Sequence, residues 1–364
     1  MKKKICAILV MAVWAALTLG AWFLPAKEFS DAERRPLAQM PELSGKDVLD
    51  GSFMTDFEDY SLDQFPLRDT FRGLKSLFHY YGLGQKDNNG IYLAEGSAAK
   101  QEYPLNEDSL SHALERFNHL YEKYLKESGS QITVTVVPDK SYYLAEENGH
   151  LAMDYGALFS GIREGMPWAD HVDITGFLTA EDYYRTDTHW RQENLLEAAG
   201  AICKALGVTA PKGSDYTLTT LERPFYGVYY GQAALPMAAD SLNILESTLL
   251  SQCLVYDHET GKTGSVYDMT KLDSKDLYEV FLSGPKSLLT IENPNAATDR
   301  ELILFRDSFG SSIAPLLVQD YAKVTLVDIR YIQIDVLDRF LEFNGQDVLF
   351  LYSTLVLNNS STIK

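Results

Sequence analysis

The sequence predicts an α/β fold: a doubly wound, mainly parallel sheet preceded by one membrane-spanning helix. Three observations carry that expectation. An uncharged apolar run lies near the N-terminus. Farther on come β-branched, nearly continuous apolar stretches of strand length, as expected where both faces of a parallel strand are buried. These stretches alternate with segments whose apolar residues recur every three or four positions, which is the spacing of one helix face.

The chain opens on "MKKK" and continues with 20 residues lacking any charge, 5–24, "ICAILVMAVWAALTLGAWFL". About 20 apolar residues cross a bilayer. A cleaved signal has an apolar region of about 7–15 residues and a small-residue cleavage site, and no clean site of that kind is present. Residues 1–27 therefore read as an uncleaved anchor. The lysines place the N-terminus in the cytoplasm, giving a single-pass protein of the cell membrane with its body outside the cytoplasm. Cys6 has no lipobox before it. Residues 28–50 are polar and proline-punctuated and read as a juxtamembrane tether. Residues 51–364 read as the extracytoplasmic domain.

Within that domain, "FMTDFEDYSLDQFPLRDTFRGLKSLFHYYG" has helical spacing, and the turn "DNNG" leads into a short strand, "IYLA". A helix is expected over 108–128 and a buried strand at "QITVTVVP" (131–138). A weaker strand is expected at "HVDI" (171–174), then a helix over 190–206 stopped by Gly207. Residues 211–300 read as a less regular insertion, rich in turns and tyrosines. The alternation then resumes with the strand "ELILF", a helix over 310–321 in which Pro315 introduces a kink, and the strand "KVTLVDI". A helix over 331–343 and the strand "DVLFLYS" complete it.

The 364 residues carry a net charge of −19. Removing the three lysines of the first 24 residues from 32 basic side chains leaves 29 against 51 acidic ones, or −22. Such a surface repels phosphate backbones and excludes a nucleic-acid partner. Cys203 and Cys253 could form one disulfide, but the reading favours two small buried residues. There is no CxxC and no Cys/His cluster, so neither a structural zinc site nor another metal or cofactor is expected.

Two segments could carry chemistry. In "LILFRDSFGSS" (302–312), Ser308 lies between a strand and a helix, at the carboxyl edge of the sheet where open α/β folds bind ligands. There the N–H groups of the following turn, Phe309 included, could receive an oxyanion. Alternatively, Ser308 or Asp307 is only a helix cap. In "YYRTDTHWRQEN" (183–194), Asp187 stands two residues before His189. A serine nucleophile needs a base, and a histidine base needs a carboxylate to hold its tautomer. The other reading makes Asp187 or Thr188 the cap of the helix 190–206. A metal site would need further ligands that the sequence does not supply.

Other residues are secondary candidates for substrate contact, each with a plainer alternative. Lys140 could meet an anionic or polyhydroxyl substrate or be an exposed surface lysine. Arg330 and Tyr331 follow a strand at the same sheet edge, and Arg330 could instead pair with an acid. Arg185 could cover the site or pair with Asp182. Trp190 could be a packing residue or a sugar platform, and Tyr226, Tyr229 and Tyr230 could line a groove or pack on the core.

"TDTHW" before a helix resembles the Asp-x-His-Trp signature of the bacterial DHHW proteins. These are related to the alginate O-acetyltransferase accessory proteins and lie within the SGNH-hydrolase superfamily. "FSDAERRPLAQMPEL", "FEDYSLDQFPLRDTF", "NNGIYL", "VVPDK", "FYGVYYGQAAL", "YEVFLSGP", "LFRDSFGSSIAPLL" and "VTLVDIRYI" resemble the family's other segments, in order, from residue 29 to about 352. The resemblance implies Ser308 as nucleophile, His189 as general base and Asp187 as its orienting carboxylate. It also implies a chain order circularly permuted relative to conventional SGNH hydrolases. Where the superfamily has Gly-Asp-Ser, this chain has Arg306-Asp307-Ser308, and the superfamily's oxyanion glycine and asparagine have no assigned counterpart. The implied activity is transfer of an acetyl group to a cell-envelope or exported polysaccharide through an acyl-serine, fed by a membrane-bound O-acyltransferase partner. An acetyl esterase with the same triad and a non-catalytic polysaccharide-binding or partner-binding protein are the rival expectations.

Overall fold

The apolar stretches form one eight-stranded sheet, in the order Lys262–Gly264, Leu254–Asp257, Leu288–Glu292, Lys323–Val327, Glu301–Arg306, Asp347–Ser353, Ile132–Val137 and Asp170–His171. The last five are mutually parallel and the first three are joined antiparallel. The computed structural model describes residues 2–364. In the middle of the sheet, Leu304 stands between Leu326 and Leu349. Successive residues of this strand feed opposite faces, as the pleat requires. Leu302 and Leu304 enter a core with Ile202, Phe309 and Leu316, whereas Ile303 and Phe305 enter a second core with Phe117, Val348 and Phe350.

The chain divides into two compact units. One is Gly90–Tyr229 with Ala238–Lys364, which holds the sheet. The other is Met1–Asn89 with Tyr230–Met237. It contains the apolar helix Lys2–Phe23 and the helices Ser52–Asp63 and Arg68–Leu77. That first helix is long and apolar enough to cross a membrane.

Several expectations are corrected. Residues 28–50 are more than a tether. Phe29–Ser30 pairs with Arg35–Pro36, and Arg35 forks onto Asp63 at 2.8 and 2.6 Å, beside Arg68 at 3.1 Å. The insertion 211–300 supplies a hairpin, Thr217–Phe225 with Asp240–Glu246, and the three antiparallel strands of the sheet. The helix expected over 310–321 is one short turn, Gly310–Ile313, followed by the 3-10 turn Ala314–Leu316. Pro315 has no N–H to extend it. Over 331–343 only the 3-10 segment Ile334–Arg339 forms, since Ile, Val and repeated Asp are weak helix formers. Of "HVDI" only His171 is in a strand, the two-residue Asp170–His171. "IYLA" pairs with Ser97–Lys100 outside the main sheet. The helix expected from 190 begins at Leu196.

Candidate active site

Ser308 occupies the turn that leaves the central strand Glu301–Arg306. Asp307, buried directly before it, holds that turn. One carboxylate oxygen accepts the N–H of Phe309 at 3.0 Å and the other accepts the N–H of Ser353 at 2.7 Å. Asp307 therefore ties the turn to the end of the neighbouring strand. A Cβ on Gly310 would lie 2.6 Å from Arg306 Cβ, so the turn needs glycine to pass the arginine stem. The Phe309 amide is spent on Asp307, which removes it as an oxyanion donor. The Ser308 N–H has no hydrogen-bond acceptor among the described residues.

The Asp-Thr-His loop meets this turn from the other side. Tyr183 bridges Trp190, and the Tyr184 N–H donates to the His189 carbonyl at 3.0 Å, closing the loop. Asp187 is fully buried. Its Oδ1 accepts the His189 N–H at 3.0 Å and lies 2.6 Å from His189 Nδ1, while Oδ2 accepts the Val228 N–H at 2.8 Å. The far imidazole nitrogen, Nε2, lies 2.8 Å from Ser308 Oγ. Asp187 caps no helix, because the helix begins seven positions after His189 at Leu196.

What holds this loop is tertiary. Buried Asp240 accepts the N–H groups of Arg185 and Thr186 at 2.9 and 2.8 Å and the Thr186 hydroxyl at 2.6 Å. Gly227 approaches so closely that a Cβ there would stand 2.2 Å from Asp187 Cβ. Tyr278 stacks on the His189 ring, with centroids 3.9 Å apart and planes 9° apart, and its hydroxyl donates to Ser312 Oγ at 2.8 Å. Burial pushes the Tyr278 phenol well above its ordinary pKa, so it stays neutral beside the base.

Lys140 is not a surface lysine. It is buried, and its Nζ donates to the carbonyls of Ala98 and Tyr184, each at 2.6 Å. Burial pulls its pKa down to about 7, against the opposing charges of Asp187, Asp240 and Asp139. It braces the backbone that leads into Asp187 rather than meeting a substrate.

A cavity of about 200 Å³ opens over Ser308 and His189, walled by Tyr278, Arg306, Arg330 and Tyr331, with Asp276 and Glu279 at its edge. Arg330 is forked onto buried Asp328 at 2.9 and 2.6 Å. Burial works against its charge, but the Asp328 bonds outweigh it and raise the pKa. Tyr331 is half exposed, under the Arg330 guanidinium. Arg306 is almost wholly buried, its pKa lowered by that burial, and its Nε has no hydrogen-bond partner among the described residues.

Arg185 lies outside this cavity, its side chain beside Asp240 at 3.5 Å rather than Asp182. Trp190 is buried and donates to Ser312 Oγ at 2.9 Å, as a packing residue does. Tyr229 is buried with its hydroxyl on Thr188, Tyr226 is partly exposed, and Tyr230 belongs to the other unit. Cys203 and Cys253 are buried free thiols. Among the described residues no group of three or more His, Cys, Asp or Glu could hold a metal ion. Sequence reasoning did not single out Asp240, Gly227 or Tyr278 by role. The last two lie in segments quoted for the family resemblance, which was the available signal.

Residues 177–327 match the family model for DHHW protein, a span that includes Asp187, His189 and Ser308. No curated protein matches the chain. A solved DHHW family protein from Eubacterium siraeum is 22% identical, with 76% of this chain and 95% of that chain covered at a TM-score of 0.60. PatB1 of Bacillus cereus is 17% identical, with 73% of this chain and 96% of that chain covered at a TM-score of 0.59. A second PatB1 structure, with a sulfonyl adduct, has 17% identity and a TM-score of 0.58, covering 73% of this chain and 95% of that one. At these identities the similarity is one of fold.

Proposed function

We propose that this chain, which carries a DHHW-family segment over residues 177–327, is a serine-dependent O-acetyltransferase acting outside the cytoplasm on a cell-envelope or exported polysaccharide. The observation that carries the reading is the His189 imidazole standing between Asp187 at 2.6 Å and Ser308 at 2.8 Å. Ser308, 119 residues beyond His189 in the chain, meets it beside a cavity of about 200 Å³.

In this mechanism Ser308 Oγ attacks the acetyl carbonyl carbon while His189 Nε2 takes its proton. The bond from that carbon to the leaving oxygen breaks, and His189 returns the proton to the leaving oxygen. A sugar hydroxyl then attacks the acetyl-serine, gives its proton to His189, and the Ser308 oxygen departs and recovers it. Asp187 keeps the proton on Nδ1 and stabilises the imidazolium. The Ser308 N–H, with the positive charge of Arg306 and Arg330 on the cavity wall, serves the oxyanion. No metal or cofactor takes part in these steps. The apolar helix Lys2–Phe23 anchors the protein in the cell membrane, and a membrane-bound O-acyltransferase supplies acetyl groups from across the bilayer. The Asp-His pair precedes the serine, consistent with the permuted order that the family resemblance implies.

The test uses a sulfonyl fluoride and an acetyl ester. One covalent adduct on Ser308 is expected by mass spectrometry, lost in Ser308→Ala and diminished in His189→Ala, with ester turnover falling in parallel. Full turnover by Ser308→Ala would overturn the serine mechanism. Acetyl transfer that rises with added oligosaccharide distinguishes transferase from esterase, for which water alone suffices.

A further inference from the structure

The helix Arg68–Leu77 and its continuation Phe78–Gly82 are built inside out. Leu67, Phe71, Leu74, Phe78 and Tyr81 recur at intervals of four, three, four and three residues, so they line one face. Each is between 43% and 68% exposed. The opposite, polar face makes the contacts within its own unit. Arg68 pairs with Glu33 and Asp63, Arg72 donates to the Gly231 carbonyl at 2.8 Å, and Ser76 accepts from Asn88 at 2.8 Å. A helix on a water-soluble body turns its apolar stripe inward. This one turns it outward.

Two contacts set the start of this stripe beside the apolar helix Lys2–Phe23. Gly20, in the last turns of Lys2–Phe23, faces Pro66, whose Cγ would lie 3.0 Å from a Cβ at that glycine. Gln64 then grips the chain as it leaves the same helix, accepting the Lys27 N–H at 2.8 Å and donating to the carbonyls of Lys27 and Ala38, each at 2.9 Å. The apolar stripe therefore begins, at Leu67, beside the C-terminal end of the apolar helix. Trp22 and Phe23 there are each 81% exposed, as aromatics at a membrane–water boundary are. At about 1.5 Å per residue the 22-residue helix matches a hydrocarbon core of about 30 Å. Asp69, the acid nearest the stripe, lies 3.7 and 3.8 Å from Arg68 and Arg72, which offset its charge.

We propose that residues 67–81 lie in the plane of the outer membrane–water interface, with Leu67, Phe71, Leu74, Phe78 and Tyr81 seated in lipid. An in-plane amphipathic helix sits about 5–10 Å into the headgroup and acyl boundary. The inference rests on the reading of Lys2–Phe23 as a membrane anchor. It fixes the first unit against the lipid surface at two places, the span and the stripe.

The test is site-directed spin labelling of the full chain in vesicles of equimolar phosphatidylcholine and phosphatidylglycerol. The background is Cys6→Ser, because Cys203 and Cys253 are buried. Single labels at Leu67→Cys, Leu74→Cys and Phe78→Cys are compared with exposed Lys262→Cys, and Trp14→Cys reports the span itself. The ratio of oxygen to nickel-complex accessibility is expected to be several-fold higher at the three stripe positions than at Lys262, because the apolar face sits in the acyl boundary. A ratio equal to that at Lys262 places the stripe in water and overturns the inference. Shielding from both reagents assigns the stripe to a protein partner and overturns it equally. A lipid signal at Trp14 with water at Leu74 sinks only this inference. Water at Trp14 with lipid at Leu74 removes the anchor reading and leaves the in-plane platform standing.

Discussion

The two loops that meet at the His189–Ser308 contact are held in opposite ways. The serine turn leaves a strand paired on both sides, with Lys323–Val327 and Asp347–Ser353, so backbone ladders locate it. The Asp-His loop contains only a bridge and a 3-10 turn. Buried side chains from distant segments position it instead: Lys140 beneath, Asp240 behind, Gly227 and Val228 against Asp187, and Tyr278 over the ring. A nucleophile can inherit its place from a sheet. This base depends on a polar network in which losing one member leaves its partners unsatisfied.

The largest effect is expected where the network touches the imidazole. Asp187→Asn should lower kcat by about 10⁴-fold by favouring the wrong His189 tautomer, with near-UV circular dichroism unchanged. The serine-side counterpart, Asp307→Asn, keeps an oxygen for one of its two N–H partners, touches no imidazole, and should lose far less. Equal losses in steady-state kinetics would erase the contrast between the loops.

Next comes Gly227→Ala. With a Cβ 2.2 Å from Asp187 Cβ, the carboxylate must move. A displacement near 1 Å costs about 10²-fold in rate, so kcat should fall with KM little changed. Gly310→Ala, which crowds only the Arg306 stem, is the matching measurement on the serine side.

Asp240→Ala probes the support one step farther back. Removing a buried carboxylate that accepts four hydrogen bonds should destabilise the fold by about 2–3 kcal/mol in urea unfolding. An unchanged midpoint would mean the loop holds itself.

Lys140 supplies a pH signature. Its folded pKa is lowered to about 7 from an ordinary 10.5. Between those values the unfolded chain binds a proton that the folded chain has released, so stability rises with pH across that window. Below pH 7 both states are protonated and the contribution is flat. Lys140→Met should abolish the rise, measured as melting temperature from pH 6 to 10. The smallest effect is expected at Arg185→Ala, whose side chain is half exposed and outside the cavity. Stability should stay within about 0.5 kcal/mol and turnover should be unchanged.

The parallel strands were legible because a strand buried on both faces must be mostly apolar and β-branched, and "ITVTVV", "ELILFR" and "DVLFLYS" are so apart from their threonines and their ends. The short turns after Ser308 and Asp328 were not. Periodic apolar residues there suggested helices, yet Pro315 and the run Ile334-Asp335-Val336-Leu337-Asp338 limit them to one or two short turns. The burial of Lys140 was not legible because local sequence carries no record of the carbonyls that surround its ammonium. The insertion 211–300 seemed irregular because two of its sheet strands, Leu254–Asp257 and Lys262–Gly264 at the outer end of the sheet, are short and half polar.

By itself the sequence determined the residue types with the right chemistry, their place at strand or loop ends, and an apolar N-terminal helix. All of these follow from local periodicity and side-chain chemistry. Only the tertiary structure decided that His189 reaches Ser308 and that the Phe309 amide is already taken. It alone showed that Asp240, Gly227 and Tyr278 hold the base, and that the stripe after Leu67 faces outward. Apart from the local bond between Asp307 and Phe309, the contacts at the site join segments tens to more than a hundred residues apart, and no local pattern encodes which distant partner fills a buried space.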